Sequence, residues 1–256
     1  NLYGAQATLA RVYWMKGDLD SARIYADKVI RSNKFRFASK TSLNTFMQKT
    51  VSMEETIWGL YNAEVYSDWL TQHVRRQGLG DLTTDFKSIY ACEGPTGKKD
   101  YRLDNWFGTY NRSGTPVDIL VKVMGNVSDT TSLTTSYNGG PYLGTSMIRI
   151  PEMYYIMSEA LLAAGNAEGA MEYLDAVVDA RGMEKFADRT PVVDITLNDI
   201  MAERRKEFIG EGQWWFCLKR LNSPVKLSGV TGATVPGSDK IYVLPLPVEE
   251  EDYRPR

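Results

Sequence analysis

Histidine is almost missing from this 256-residue chain, with His73 standing alone. A Ser-His-Asp triad therefore has one histidine on which to be built, and an all-protein zinc site has too few ligands. Cysteine is scarce too. Cys92 and Cys217 are too few for a disulfide framework and have no second Cys or His at metal-ligand spacing. They read as ordinary thiols, with a bridge between them open only in an oxidising compartment. No excess of positive charge exists: 30 basic residues face 32 acidic ones, for a net charge of -2. That leaves no basic stripe for a phosphate backbone, and nucleic acid is excluded as a partner. No run approaches the roughly 18 to 20 uninterrupted apolar residues of a membrane helix, and the opening Asn1-Leu2-Tyr3-Gly4-Ala5 lacks the regions of a signal peptide. Neither a Gly-x-Ser-x-Gly turn nor a glycine-rich phosphate loop is found. The chain enters an amphipathic helix without an initiating Met, which points to upstream sequence, and any targeting signal, lying outside these residues.

What is present is an ordinary globular composition, 43% hydrophobic and 24% charged, in a chain long enough for a large core. Helical periodicity is the first signal. Ala5, Leu9, Val12 and Tyr13 mark a helix from Tyr3 to Met15 that stops at Lys16-Gly17. Asp18 to Asp20 supply caps for a second stripe of Ala22, Tyr25, Ala26, Val29 and Ile30. The pattern returns from Glu152 to Ala164, before Gly165-Asn166, and then in Ala170, Tyr173, Leu174 and Val177. A constant offset superposes Gly17 on Gly165, Ala22 on Ala170, Tyr25 on Tyr173 and Val29 on Val177. The units look like tetratricopeptide pairs, in which small residues let helices approach closely. A third pair is expected from Leu197 to Phe208 and from Gln213 to Leu221.

Residues 34–148 differ in kind, being rich in Gly, Ser, Thr, Asn and Asp, with strand-like runs at Thr56–Leu60 and Ile119–Val123. Cys92–Asp100 and Ser128–Gly140 read as long loops. Near the end, Ile241–Pro247 reads as a short strand and Glu249–Asp252 as a solvated acidic run. The expectation is one mainly α domain: a helix pair at 1–33, a loop-rich insert with a little β structure at 34–148, helix pairs at 149–225, and a C-terminal loop and strand at 226–256.

Three stretches carry a resemblance. Arg149-Ile150-Pro151-Glu152 leads through apolar residues to Ser158-Glu159-Ala160, and the following helix closes at Ala180-Arg181-Gly182. A second stretch runs from Glu203-Arg204-Arg205 through Gly210-Glu211-Gly212 to Leu218-Lys219-Arg220, and Tyr242-Val243-Leu244-Pro245-Leu246-Pro247 is the third. In this order and spacing they resemble the C-terminal portion of the SusD-like (RagB/SusD) family, although Ser158 and Cys217 depart from its pattern. The family's lipoprotein signal, lipidated cysteine and first helices have no counterpart here. Physically, Arg149, Glu152, Glu159, Glu203, Arg204 and Arg220 are charges set among apolar stripes, where they are costly unless paired. An internal ion-pair and capping network is expected rather than a catalytic carboxylate pair, and Trp214-Trp215-Phe216 is expected to pack.

Ligand chemistry is sought in the insert, where Tyr61, Tyr66, Trp69, Trp106, Phe107 and Tyr110 accompany Asn62, Asp68, Arg102, Asn105 and Arg112. A pyranose ring offers an apolar face to an aromatic side chain, and its hydroxyls suit planar donors and acceptors. Tyr66, Trp69, Arg102, Trp106 and Tyr110 are the candidate ligand contacts, against the alternative that they pack the insert onto the helices. No catalytic residue, cofactor or metal is expected. The resemblance implies non-catalytic capture of an oligosaccharide at the outer-membrane surface and its delivery to a SusC-like TonB-dependent transporter. It also implies that membrane attachment is made only by a lipid anchor outside this chain. The alternatives are a tetratricopeptide scaffold for a protein or peptide partner and, from a third class, a glycosidase.

Overall fold

The computed structural model describes residues 1–44, 51–61, 87–90, 98–112, 114–120, 122, 127–129, 134–135, 144–226 and 233–244. It is mainly helical. The first pair is α1 (Leu2–Lys16) and α2 (Leu19–Arg31). After α3 (Lys40–Asn44) and β1 (Thr56–Tyr61) come a 3-10 turn at Lys87–Tyr90, α4 (Tyr101–Trp106), β2 (Phe107–Arg112) and β3 (Thr115–Leu120). Two short strands, β4 (Val127–Asp129) and β5 (Thr134–Thr135), precede β6 (Gly144–Arg149). β6 runs straight into α5 (Ile150–Ala163), which pairs with α6 (Ala167–Ala180). A 3-10 turn at Phe186–Asp188 leads to α7 (Leu197–Glu207) and α8 (Gln213–Arg220), then β7 (Val225–Lys226), β8 (Thr234–Val235) and α9 (Asp239–Tyr242).

The two repeated units have the same local construction. Asp18 caps α2 by accepting from the Ser21 N–H, and Asn166 caps α6 by accepting from the Gly169 N–H. Gly17 and Gly165 both sit at φ +80°, where a side chain would be strained, and so turn the chain between paired helices. Ala22 and Ala170 are fully buried, as are Val29 and Val177 two turns beyond. Far apart in sequence, the units are neighbours in space, because α2 packs against α5. The four helices thus stack as one short solenoid. Its core is completed by Trp14, Ile148, Tyr155, Ile156, Ile200, Phe208 and Cys217.

The insert is gathered at a neck. β1 enters it and β6 leaves it, paired antiparallel from Thr56↔Arg149 to Tyr61↔Gly144. Within it, β2 and β3 form a hairpin in register Phe107↔Leu120, turned where Asn111 accepts from the Gly114 N–H. A second, smaller core joins Ala38, Leu43, Tyr90, Trp106, Phe107 and Leu120.

Three expectations are corrected. The predicted strand at Ile119–Val123 begins earlier, at Thr115, because the hairpin turn sets its register from Arg112↔Thr115. Residues 241–242 belong to the helical turn α9 rather than a strand, with the Ser238 carbonyl accepting from the Ile241 and Tyr242 N–H groups. Of Trp214-Trp215-Phe216, only Trp214 packs on the main core; Trp215 and Phe216 are 44% and 53% exposed, since the short α8 turns Cys217 inward instead. Most of the long loops and the acidic run lie outside the described residues.

Candidate functional site

Charge buried at the junction of helices and insert dominates the interior. The Arg149 guanidinium donates to Glu55, Glu207 and Glu211, each at 2.7 Å. Arg181 donates to Glu55 and Glu207 at 2.8 Å. Arg102 reaches Asp100 and Glu203 at 2.7 Å and Glu207 at 3.2 Å. Lys122 contacts Glu211 at 2.6 Å, and Lys206 contacts Glu203 at 2.5 Å. Five cations therefore meet five carboxylates, so the cluster is neutral as a whole and each charge is offset by opposite charges that replace its lost hydration. Two smaller pairs extend it along α5, whose Glu152 and Glu159 lie two turns apart on one face. Glu152 accepts from Arg11 at 2.5 Å and from Arg204 at 3.3 Å. Glu159 accepts from the Trp14 indole at 2.6 Å and pairs with Arg220. The expected internal network is formed by all six residues named for it.

These carboxylates are locked as ions. Burial would raise the Glu207 carboxyl, but Arg181 and Arg149 outweigh it and hold it well below the usual range. Glu203 and Glu152 are likewise lowered, against the same burial penalty, by Arg102 and Lys206 and by Arg11 and Arg204. A glycosidase acid needs the opposite, a carboxyl pushed up toward neutrality. Lys122 is lowered as well, which for an ammonium weakens the charge: burial drops it from its ordinary 10.5 to about 8 even with Glu211 alongside.

The sequence-based ligand candidates separate. Arg102 and Trp106, both fully buried, are corrected from ligand contacts to interior residues. Arg102 is consumed by three carboxylates, and the Trp106 ring carries the Lys122 ammonium 4.0 Å from its centroid. Asn105 and Phe107 are buried with them. Tyr110 lies on β2, paired with Val117. Tyr66 and Trp69, with Asn62 and Asp68, lie outside the described residues. Tyr61 is at the outer end of β1 and 72% exposed, and Trp58, two-fifths exposed, rests against Gly4 of α1. Sequence reading missed Glu55, Glu207 and Arg181 as partners in the cluster. Nothing in the local pattern around Glu55 marks it, because its cations come from β6 and from the end of α6.

A concave region of about 590 Å³ opens between α1, β6 and α8. Its walls include Val12, Met15, Met147 and Phe216, with the Arg11–Glu152 pair on one side. Among the described residues no group of three or more His, Cys, Asp and Glu is arranged to hold a metal, and no helix is long and apolar enough to cross a membrane.

Residues 120–239, which carry most of the buried network, match the model of the SusD family. The match covers a little under half of the chain. The chain's fold agrees. A SusD superfamily protein from Bacteroides thetaiotaomicron is 23% identical and superposes with a TM-score of 0.73, covering 99% of this chain and 59% of that one. A SusD-like carbohydrate-binding protein from Bacteroides vulgatus is 18% identical with a TM-score of 0.67, covering 96% and 56%. A structure solved with a xylogluco-oligosaccharide is 21% identical with a TM-score of 0.60, covering 86% and 50%. The chain therefore spans between half and three fifths of the length of these structures. No curated protein sequence matches it significantly.

Proposed function

We propose that this chain is the helical frame of a non-catalytic outer-membrane surface protein that binds an oligosaccharide and passes it to a SusC-like TonB-dependent transporter. The lipid anchor that holds it at the membrane lies outside these residues. The observation that carries the reading is the match to the SusD family, one structure of which fold holds a xylogluco-oligosaccharide. Locked carboxylates at the helix junctions support binding rather than hydrolysis. The ligand contacts are Tyr66, Trp69 and Tyr110, joined by Tyr61, whose exposed ring sits where β1 leads into residues 62–86. Affinity then comes from ring stacking and a few hydrogen bonds, and is modest per sugar.

The test is affinity electrophoresis of the complete protein through a glycan panel that includes xyloglucan. Trp69→Ala is expected to weaken retention by about tenfold or more, equivalent to about 1.4 kcal/mol, with an unchanged far-ultraviolet circular dichroism spectrum. Retention of no glycan by the parent protein would sink the proposal, as would new reducing ends in the incubated glycans. A Trp69→Ala variant that loses a protein contact while keeping its glycan would favour the scaffold reading, and the exposed apolar stripe on α1 is the feature that reading would use.

A further inference from the structure

The hairpin β2–β3 stands on Lys122. The backbone N–H of this residue donates to the Trp106 carbonyl, one step beyond the Phe107↔Leu120 pair, which puts it at the hairpin's base. Its side chain leaves the insert and enters the corner between α7 and α8, where it is buried. There Nζ donates to the Glu207 carbonyl at 2.7 Å and the Ile209 carbonyl at 3.2 Å, and meets a Glu211 carboxylate oxygen at 2.6 Å. An ammonium has three protons, and these are three acceptors. The Trp106 ring lies against the same nitrogen.

The acceptors belong to the frame. Glu207 ends α7, whose last carbonyls have no partner within the helix and carry the negative end of its dipole. Gly210 and Gly212, at φ +76° and +70°, then turn the chain sharply into α8. Arg149 and the Glu207 carboxylate are the further charges that bear on the ammonium, the first opposing it and the second favouring it.

For stability alone, lysine is a poor choice here. Burial brings the ammonium from 10.5 down to about 8, so charging it costs more than the surrounding charges return. An apolar side chain of similar length would fill the space without that cost. It would not supply direction, because methylene groups pack over a range of tilts whereas three hydrogen bonds to converging acceptors do not.

We infer that Lys122 is a positioning residue, which fixes the bearing of the β2–β3 hairpin on the helical frame and adds little to the stability of the fold. Trp106, Phe107 and Leu120 hold the base of the hairpin down in the smaller core, and Lys122 sets its direction. One consequence rests on the proposed function: Tyr110 on β2 is aimed at the glycan through Lys122, so Lys122→Met loses retention.

Pulsed electron paramagnetic resonance reads the bearing without any ligand. Nitroxides are placed at Thr115→Cys, on the exposed end of β3, and Glu172→Cys, on the exposed side of α6, in the complete protein with Cys92 and any other accessible cysteine replaced by Ser. The parent is expected to give one narrow distance distribution. Lys122→Met is expected to shift or broaden it by about 2 Å or more, with the thermal midpoint within about 4 °C of the parent, because lost hydrogen bonds are offset by relief of the buried charge. Raising the pH from about 7 to 9.5 makes the same test without a substitution. A neutral amine has two protons for three acceptors, so the parent distribution broadens as Lys122 titrates, and that of Lys122→Met does not respond. Over this range the folded chain gives up the proton near 8 while the unfolded chain keeps it to 10.5, so the fold loses no stability through Lys122. Glu207 is held below its ordinary range and Arg149 above its own, so neither changes charge. An unchanged distribution in Lys122→Met overturns the inference, as does a parent distribution identical at the two pH values. So does broadening accompanied by a larger fall in the midpoint, since Lys122 is then an ordinary stabilising contact. A broadened distribution with undiminished glycan retention supports the inference and removes Tyr110 from the ligand contacts.

Discussion

Glu207 accepts hydrogen bonds from three guanidiniums, those of Arg102, Arg149 and Arg181. No single pair explains its ionisation, because a carboxylate removed from water needs several donors before attraction exceeds the loss of hydration. Glu207→Gln keeps the volume and removes the charge, leaving three buried cations short of a partner. The expected loss is about 3 to 5 kcal/mol of folding stability, measured by urea denaturation. The need for pairing was readable in advance at Glu203 and Arg204, charges that start the run ending at Glu207 and are set among apolar positions. The partners of Glu207 were not, since Arg102, Arg149 and Arg181 lie in three other parts of the chain. The same gap explains why Arg102 and Trp106 read as sugar contacts. An Arg near a Trp has the chemistry of a carbohydrate site, and only burial shows that both are occupied by Asp100, Glu203, Glu207 and Lys122.

At the scale of elements, the helix pairs are the most legible part of the protein, because their spacing, caps and turn glycines are local. Gly17 and Gly165 perform the same task at φ +80° and have no atom within 4 Å of where a Cβ would stand. Substituting either with Ala therefore costs backbone strain alone, about 1 to 2 kcal/mol. The two variants should lower the thermal midpoint by similar amounts in a melting experiment; a much larger drop for one would break the equivalence of the units. Strand expectations held at β1, where Thr56-Ile57-Trp58 is β-branched and aromatic, and slipped at β3 and α9. Short segments of that kind take their form from what they pair with. β1 and β6 lie on either side of the insert and find each other only in three dimensions. Trp215 and Phe216 slipped as well, since a helix of eight residues buries one narrow stripe and here Cys217 occupies it.

For the molecule as a whole, the cluster acts as a clasp that ties α4, β6, α6 and α7 to the start of β1. Acid should undo it in one step. Glu207, Glu203 and Glu152 are held below 4.5 in the folded chain, so their stabilisation is complete above the unfolded value and is lost as pH falls through the lower folded values. A pH titration followed by near- and far-ultraviolet circular dichroism is expected to show helices and aromatic packing lost together, beginning below about pH 4.5. Aromatic packing lost while helices persist to much lower pH would show that the clasp does not join the units. Sequence by itself determined the helix pairs, their repetition and the need to pair the buried charges, because each follows from residues within a turn or two of one another. Tertiary structure alone decided which carboxylate meets which guanidinium, which rings are buried, and which face of α1 is left open. Those depend on segments brought together from across the chain, and distance along a sequence carries no record of distance in space.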